Sequence, residues 1–166
     1  MKRIIQVGLG GMGRHWAQVI AASETWETAA FVDVDGKALS FATDKMGVPG
    51  ERCFTDLEKA VSSVEADALL DATPQEFRRG VCLTAFEHGL PVLSEKPLAD
   101  TLENAVELVA HAQEAGLTFM IGQNYRYNPL PMTTRAYLRQ DKVGAIEHVD
   151  VRFFKGPRFG GFRERM

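Results

Sequence analysis

The regular alternation of strand-like and helix-like segments is the feature that most constrains the fold of this sequence. In the first 121 residues, six short strand-like runs alternate with segments whose apolar residues stand at helical spacing. Strands that alternate with helices pair in parallel, because each helix carries the chain back to the edge from which the next strand begins. The sequence therefore predicts an α/β fold, a doubly wound parallel sheet of the Rossmann type.

The predicted elements share short lengths and clear glycine or proline boundaries. The predicted strands are Arg3–Gly8, Thr28–Val34, Arg52–Thr55, Asp67–Ala72, Pro91–Ser94 and Leu117–Ile121. The predicted helices are Met12–Ala22, Lys37–Met46, a short one from near Asp56, Glu76–His88, one opened by a capping box of Asp100 and Glu103, and one from Asn128 to about Gln140. Met12, Trp16, Val19 and Ile20 stand at helical spacing in the first helix, and the helix opened by Asp100 is predicted to bury a stripe of Leu102, Ala105, Val106 and Val109.

A glycine-rich loop follows the first strand. Gly8, Gly10 and Gly13 form a G-x-G-x-x-G pattern between a predicted strand and a predicted helix. Such glycines permit a tight turn, close approach of a pyrophosphate and close packing of the helix, whose free N–H groups bind the anion. The loop predicts a dinucleotide site whose candidate contacts are Gly8, Leu9, Gly10, Gly11, Met12 and Gly13.

An acidic residue stands where a dinucleotide fold requires a ribose ligand. Asp33 ends the second predicted strand 20 residues after Gly13, and Asp35 follows it before Gly36. Either carboxylate could bind the ribose, but Asp35 is better placed to cap the next helix. Since a carboxylate at Asp33 repels a 2′-phosphate, the sequence favours NAD over NADP. The alternative is a tight turn with a capping aspartate.

Further motifs resemble those of one known family. Ala72-Thr73-Pro74 ends a strand, Glu95-Lys96-Pro97 follows the next, and Gly122–Pro129 reads Gly-Gln-Asn-Tyr-Arg-Tyr-Asn-Pro. With the glycine loop and Asp33, these resemble the glucose–fructose oxidoreductase, inositol dehydrogenase and rhizopine-catabolism (Gfo/Idh/MocA) family over essentially the whole chain. The resemblance implies hydride transfer between nicotinamide and a sugar, polyol or related hydroxy or carbonyl substrate.

The resemblance also implies roles for particular residues. Lys96 would be catalytic, donating to the reacting oxygen, with Pro97, often cis in the family, directing it inward. Thr73, Pro74, Glu95, Lys96, Asn124 and Arg126 would contact the cofactor or lie beside it. At Arg78 many family members instead have a histidine, so any contact made by that histidine is in doubt here. A surface turn with a solvated Glu95–Lys96 pair is the alternative for the Glu-Lys-Pro motif.

The resemblance implies a second, α+β substrate domain that begins in this chain and is cut short. We expect an NAD(P)-binding domain at 1–122, a connecting segment and helix at 123–144, and the start of the substrate domain at 145–166, with Ile146–Phe154 as its first strand. The fragment alone would then be inactive, and the full-length protein a homo-oligomer. The alternatives are a non-catalytic dinucleotide-binding or redox-sensing module and an NAD-using hydrolase or lyase of the same family.

Composition narrows the class of protein. The net charge of −3 gives no general attraction to nucleic acid or anionic membrane. The four histidines lack metal-ligand spacing, so no metal is expected. The two cysteines fit reduced structural thiols, and no apolar run reaches the length of a membrane span. We therefore expect a cytoplasmic protein whose partners are a dinucleotide and a small sugar-like or polyol substrate.

Overall fold

A computed structural model describes residues 1–140 and 144–152, and it contains one six-stranded sheet flanked by helices. The strands are β1 (Lys2–Val7), β2 (Trp26–Val32), β3 (Cys53–Phe54), β4 (Ala68–Asp71), β5 (Val92–Ser94) and β6 (Phe119–Ile121). The helices are α1 (Gly11–Ala21), α2 (Gly36–Met46), α3 (Leu57–Ser63), α4 (Gln75–Glu87), α5 (Leu102–Glu114) and α6 (Pro129–Leu138), with 3₁₀ turns at Gly50–Arg52 and Asn124–Tyr127.

The strands are all parallel, in the order β3-β2-β1-β4-β5-β6. This is the strand order of a dinucleotide-binding sheet. The first three strands are added towards one side, and β4 to β6 are added on the other side of β1, so the order of addition reverses between β1 and β4. The predicted Rossmann fold is confirmed. Because the strands are parallel, the residues that follow them meet at one edge of the sheet, which we call the carboxyl edge.

The core lies on both faces of the sheet. One cluster joins Ile5, Leu69 and Val92 of the central strands to Phe86 and Leu108 of α4 and α5. A second cluster, on α1 and α2, packs around Leu9 and Phe31. Central strands covered on both faces explain the continuous apolar runs seen in the sequence.

The residues that α1 and α5 bury differ in part from the apolar residues that stand at helical spacing in the sequence. In α1 the buried residues are Gly13, Ala17 and Ile20, whereas Met12 and Val19 are about half exposed. In α5 the buried residues are Leu108 and Ala112, whereas Leu102 and Val106 are 73% and 61% exposed. Gly13 and Ala17 of α1 and Ala112 of α5 are small, which lets the helix backbone at these positions approach its neighbours more closely than bulky side chains permit.

The predicted capping box of α5 is wrong by one position. Thr101 is the N-cap, and its hydroxyl accepts a hydrogen bond from the Asn104 backbone N–H at 3.1 Å. Asp100 instead accepts from the Asn104 side-chain amide at 2.7 Å. Thr and Asp are both good caps, and Asn104 engages both, which spacing alone could not reveal.

The described chain divides into two compact units, and the second begins at Asn124. Within it, Asn128 precedes α6 and Pro129 occupies the first turn, as predicted, although no side-chain bond from Asn128 caps the helix. The predicted strand Ile146–Phe154 is not formed at 146–152. A strand requires a neighbour that completes its backbone hydrogen bonds, and the described residues offer this segment none. Phe153 and Phe154 lie outside the described residues.

The first turn of α1 is pressed against the end of β1. A Cβ atom added at Gly13 would lie 2.0 Å from the carbonyl oxygen of Gly8, far inside van der Waals contact. Gly8 itself has a φ of +91°, and a Cβ there would lie 2.8 Å from the Ala72 carbonyl oxygen. The closeness of α1, β1 and β4 therefore depends on these two glycines.

We predict that Gly13→Ala lowers the free energy of unfolding by about 2 kcal/mol or more, because backbone rather than a flexible side chain must move. Urea unfolding followed by circular dichroism measures this. Gly11→Ala is the matched control, since nothing lies within 4 Å of an added Cβ there and alanine favours a helix. Equal midpoints for the two variants would contradict the prediction.

Candidate functional site

The glycine loop joins β1 to α1 at the carboxyl edge. Gly10 is the N-cap residue of α1, and an added Cβ there would meet nothing within 4 Å. The first backbone N–H groups of a helix have no partner within the helix, and the helix dipole gives them partial positive charge. The loop thus presents free N–H donors beside open space, which suits an anion such as a pyrophosphate.

Leu9 differs from its neighbours in the loop. Its side chain is fully buried between α1 and α2, and its N–H donates to Asp33 Oδ2 at 2.7 Å. Its carbonyl oxygen accepts from Arg14 Nε at 3.0 Å. Leu9 therefore anchors the loop, while the exposed residues Gly10, Gly11 and Met12 remain accessible.

Gln6, in β1, binds the same loop through hydrogen bonds, a role that the sequence did not predict. Its side-chain amide is fully buried and donates to the carbonyl oxygens of Gly8 at 3.1 Å and Gly13 at 2.7 Å. Its Oε1 atom has no hydrogen-bond partner among the described residues. A glutamine in the middle of a buried apolar strand was the available signal, because a buried amide must find partners.

Asp33 follows β2 and faces two backbone N–H groups. Besides Leu9 N–H on Oδ2, it accepts from Asp35 N–H on Oδ1 at 2.9 Å. An ionised carboxylate has about four acceptor positions, so each oxygen retains capacity for a further donor. Asp35 caps α2 by accepting from Lys37 N–H at 2.9 Å, as we predicted for it. Asp33 is thus the carboxylate available to a ribose.

The loop after β5 carries the Glu-Lys-Pro motif. The Glu95 side chain is nearly buried and accepts from the indole N–H of Trp16 on α1 at 2.9 Å and from Lys96 N–H at 3.3 Å. The Lys96 side chain is exposed and has no ion-pair partner within the described part of the chain. The Lys96–Pro97 peptide bond is cis. Trp16 thereby links the glycine-loop helix to this motif, a contact that the sequence did not reveal.

Beneath Thr73 lies a buried polar network. Asp71, at the end of β4, accepts from Thr73 N–H and Oγ1 at 2.9 and 2.6 Å, from Ser94 Oγ at 2.7 Å and from Arg78 Nε at 2.8 Å. Arg78 also donates to the carbonyl oxygens of Thr73, at 2.7 Å, and Pro97. The network joins the loop after β4 to the loop after β5.

The structure thus brings most of the predicted site residues to one sheet edge. The glycine loop, Asp33, Thr73, Pro74, Glu95 and Lys96 all follow carboxyl ends of adjacent strands. Asn124 and Arg126 lie in the second unit, in the 3₁₀ turn, where the Arg126 guanidinium stands 5.7 Å from the centre of the Tyr127 ring. In open α/β sheets, the crevice where strand order reverses is the general ligand site.

Residues 2–123 match the family model described as "Oxidoreductase family, NAD-binding Rossmann fold", that of Gfo/Idh/MocA. The chain belongs to this family. It is 32% identical over 146 residues to inositol 2-dehydrogenase of Pseudarthrobacter chlorophenolicus, and 31% identical over 172 residues to an uncharacterized protein of Sinorhizobium fredii. These alignments cover 87% and 99% of this chain but 43% and 48% of the relatives, so the chain spans less than half of their length.

A solved structure gives the same result at the level of the fold. The scyllo-inositol dehydrogenase of Lactobacillus casei, determined with bound NAD(H) and scyllo-inositol, matches with a TM-score of 0.79 and 25% identity over 87% of this chain and 42% of that chain. The family is NAD-binding, so the cofactor predicted from the glycine loop is confirmed. The described part of the chain has no helix long and apolar enough to cross a membrane.

We predict that Gly10→Val abolishes NAD binding while the fold persists. Its side chain would project into the open space beside the helix N-terminus, where the pyrophosphate must approach the backbone. Calorimetric titration with NAD measures binding, and circular dichroism measures folding. Gly80→Val on α4 is the control, since an added Cβ is equally unobstructed there. A folded Gly10→Val variant with the parent's affinity would show that the loop is only a turn.

Proposed function

We propose that the chain is the cofactor-binding part of an NAD-dependent dehydrogenase that acts on a sugar, polyol or related hydroxy or carbonyl substrate. The observation that carries the proposal is the convergence, on one sheet edge, of a helix N-terminus open to an anion, a carboxylate with spare acceptor capacity at Asp33, and an exposed lysine at Lys96. The inositols in the names of the relatives, which are polyols, support the substrate class.

The residues present fit NAD. The N–H groups at the start of α1 would hold the pyrophosphate, and Asp33 would accept the adenosine ribose hydroxyls. Thr73, Pro74 and Glu95 would contact the nicotinamide half, since they follow β4 and β5 on the far side of the strand-order reversal. Asn124 and Arg126, which come after β6, are proposed as further contacts near the nicotinamide and the substrate.

Lys96 is the proposed catalytic residue. Bound NAD supplies or accepts the hydride. The Lys96 ammonium would donate a hydrogen bond to the substrate oxygen, stabilise negative charge as it develops there, and relay the proton. The Lys96 ammonium is exposed and has no ion-pair partner in the described part of the chain, so it is available for this role.

We predict that the chain binds NAD at least about ten-fold more tightly than NADP, because the Asp33 carboxylate repels a 2′-phosphate; ten-fold corresponds to about 1.4 kcal/mol. Asp33→Asn should remove most of this preference and raise the affinity for NADP. Calorimetric titration of both variants with both cofactors measures the ratio. Asparagine keeps a side-chain oxygen for Leu9 N–H, so the loop keeps its anchor.

Asp35→Asn is the matched control for that experiment. It removes one negative charge two residues away, and asparagine caps a helix as well as aspartate does. The preference for NAD should survive in this variant. Equal affinity of the parent for the two cofactors, or an unchanged preference in Asp33→Asn, would refute the role given to Asp33.

We predict that Lys96→Met lowers turnover by about 100- to 1,000-fold in the complete gene product, the cost of removing a donor to a developing oxyanion. The melting temperature and NAD affinity should stay near the parent's, since the side chain is exposed. NADH absorbance with a panel of inositols and aldoses measures turnover.

Lys59→Met on α3 removes the same charge from an exposed site and is the control. Lys96→Arg keeps the charge but cannot release a proton, so it should not restore the rate. Turnover of Lys96→Met close to that of Lys59→Met would mean that Lys96 is not the proton donor. NAD binding without turnover of any substrate would favour a binding module instead.

A further inference from the structure

Arg78 is an arginine in an unusual environment. It lies in the first turn of α4 and is 1% exposed, although arginine is among the residues least often buried. Its guanidinium donates in three directions: to Asp71 Oδ2 at 2.8 Å, to the Thr73 carbonyl at 2.7 Å and to the Pro97 carbonyl. A planar fork of fixed donors is the group suited to such a three-way contact.

Asp71 has no capacity left for a ligand. Its Oδ1 accepts from Thr73 N–H and Oγ1, and its Oδ2 accepts from Arg78 and Ser94, which fills about four acceptor positions. The side chain is also fully buried. Asp71 therefore serves to hold neighbouring groups, and its charge compensates that of Arg78.

The two carbonyls that Arg78 binds belong to the two loops of the proposed site. The Thr73 carbonyl lies in the loop after β4, and the Pro97 carbonyl lies one residue beyond Lys96. On the other side of Lys96, its own N–H donates to Glu95, which Trp16 holds in turn. The backbone around the exposed Lys96 side chain is thus fixed from both sides by buried or half-buried groups.

We propose that Arg78 is a positioning residue for Lys96: it fixes the loop after β5 against the loop after β4, so that the Lys96 ammonium is held in place for the substrate oxygen. The proposal rests on the catalytic role proposed for Lys96. It assigns to Arg78 an effect mainly on turnover, because its contacts lie in the loops after β4 and β5, whereas the glycine loop and Asp33, which would hold the pyrophosphate and the adenosine ribose, receive no hydrogen bond from it. A displacement of about 1 Å at a reacting group costs up to about 100-fold in rate.

The test compares Arg78→Lys with Ser94→Ala in the complete gene product. Lysine keeps the charge opposite Asp71 but replaces the three-way fork with a single ammonium. Ser94→Ala removes another hydrogen bond to Asp71 and leaves the contacts of Arg78 intact. We expect Arg78→Lys to lower kcat about 10- to 100-fold, with KM and the NAD dissociation constant within about three-fold of the parent's. Ser94→Ala should lower the melting temperature yet keep kcat.

Amide hydrogen exchange provides a readout that requires no turnover. In Arg78→Lys, peptides covering residues 95–101 should exchange about ten-fold faster, because the loop opens more often, while peptides of the glycine loop should not change. Ser94→Ala should leave the 95–101 peptides near the parent's rate. If the parent neither binds NAD nor turns over substrate, the proposed function fails, while the exchange result still decides whether Arg78 holds the loop.

The proposal is overturned if folded Arg78→Lys keeps the parent's kcat, if the exchange of 95–101 is unchanged, or if Ser94→Ala loses kcat in proportion to its loss of stability.

If Arg78→Lys does not fold, the double variant Asp71→Asn, Arg78→Met tests the positioning role instead. It removes both buried charges together, and asparagine still accepts from Thr73. Its loss of turnover when folded supports the proposal, and retained turnover refutes it. If neither variant folds, Arg78 serves the fold alone and the positioning role is rejected.

Discussion

A parallel sheet can be built only if each strand is followed by a crossover, and this requirement brings the ends of all six strands of this chain to one edge. The crossover from β1 leads to β2 on one side of it, and the crossover from β3 leads to β4 on its other side; in sheets of this type a ligand binds in the crevice at this reversal of strand order. The close contact of Gly13 with Gly8 determines how near α1 stands to this gap. The groups of the proposed site that belong to the first unit take their positions from that arrangement.

Buried polar groups, rather than apolar packing, fix the loops at this edge. Gln6 binds two carbonyls of the glycine loop, Asp71 accepts four hydrogen bonds, and Arg78 reaches two separate loops. In a low-dielectric environment such groups must be almost fully paired, so each one permits few arrangements of the backbone around it. The backbone on both sides of Lys96 is held in this way, although its side chain is exposed.

The sequence predicted what depends on local spacing and missed what depends on tertiary contacts. The order of strands and helices, the glycine loop and the Asp35 cap follow from short-range patterns, and the structure agrees with them. The buried stripe predicted for α5 was wrong, because apolar residues occur on two faces of that helix and only tertiary contacts select between them. Arg78 was recognised only as a departure from the family, since its partners lie seven and nineteen residues away.

Asp33 illustrates how a proposed cofactor ligand can also be a structural group. Its carboxylate anchors the glycine loop through Leu9 N–H, and it retains acceptor positions for the ribose that we propose it binds. Removing the side chain would therefore disturb the proposed pyrophosphate site as well as the proposed ribose site. Both NAD and NADP would then bind weakly, whether or not the Asp33 charge is what distinguishes them. Only a change that keeps the anchoring oxygen and removes the charge separates the two roles. The same reasoning applies to Glu95, which holds both Trp16 and the Lys96 backbone.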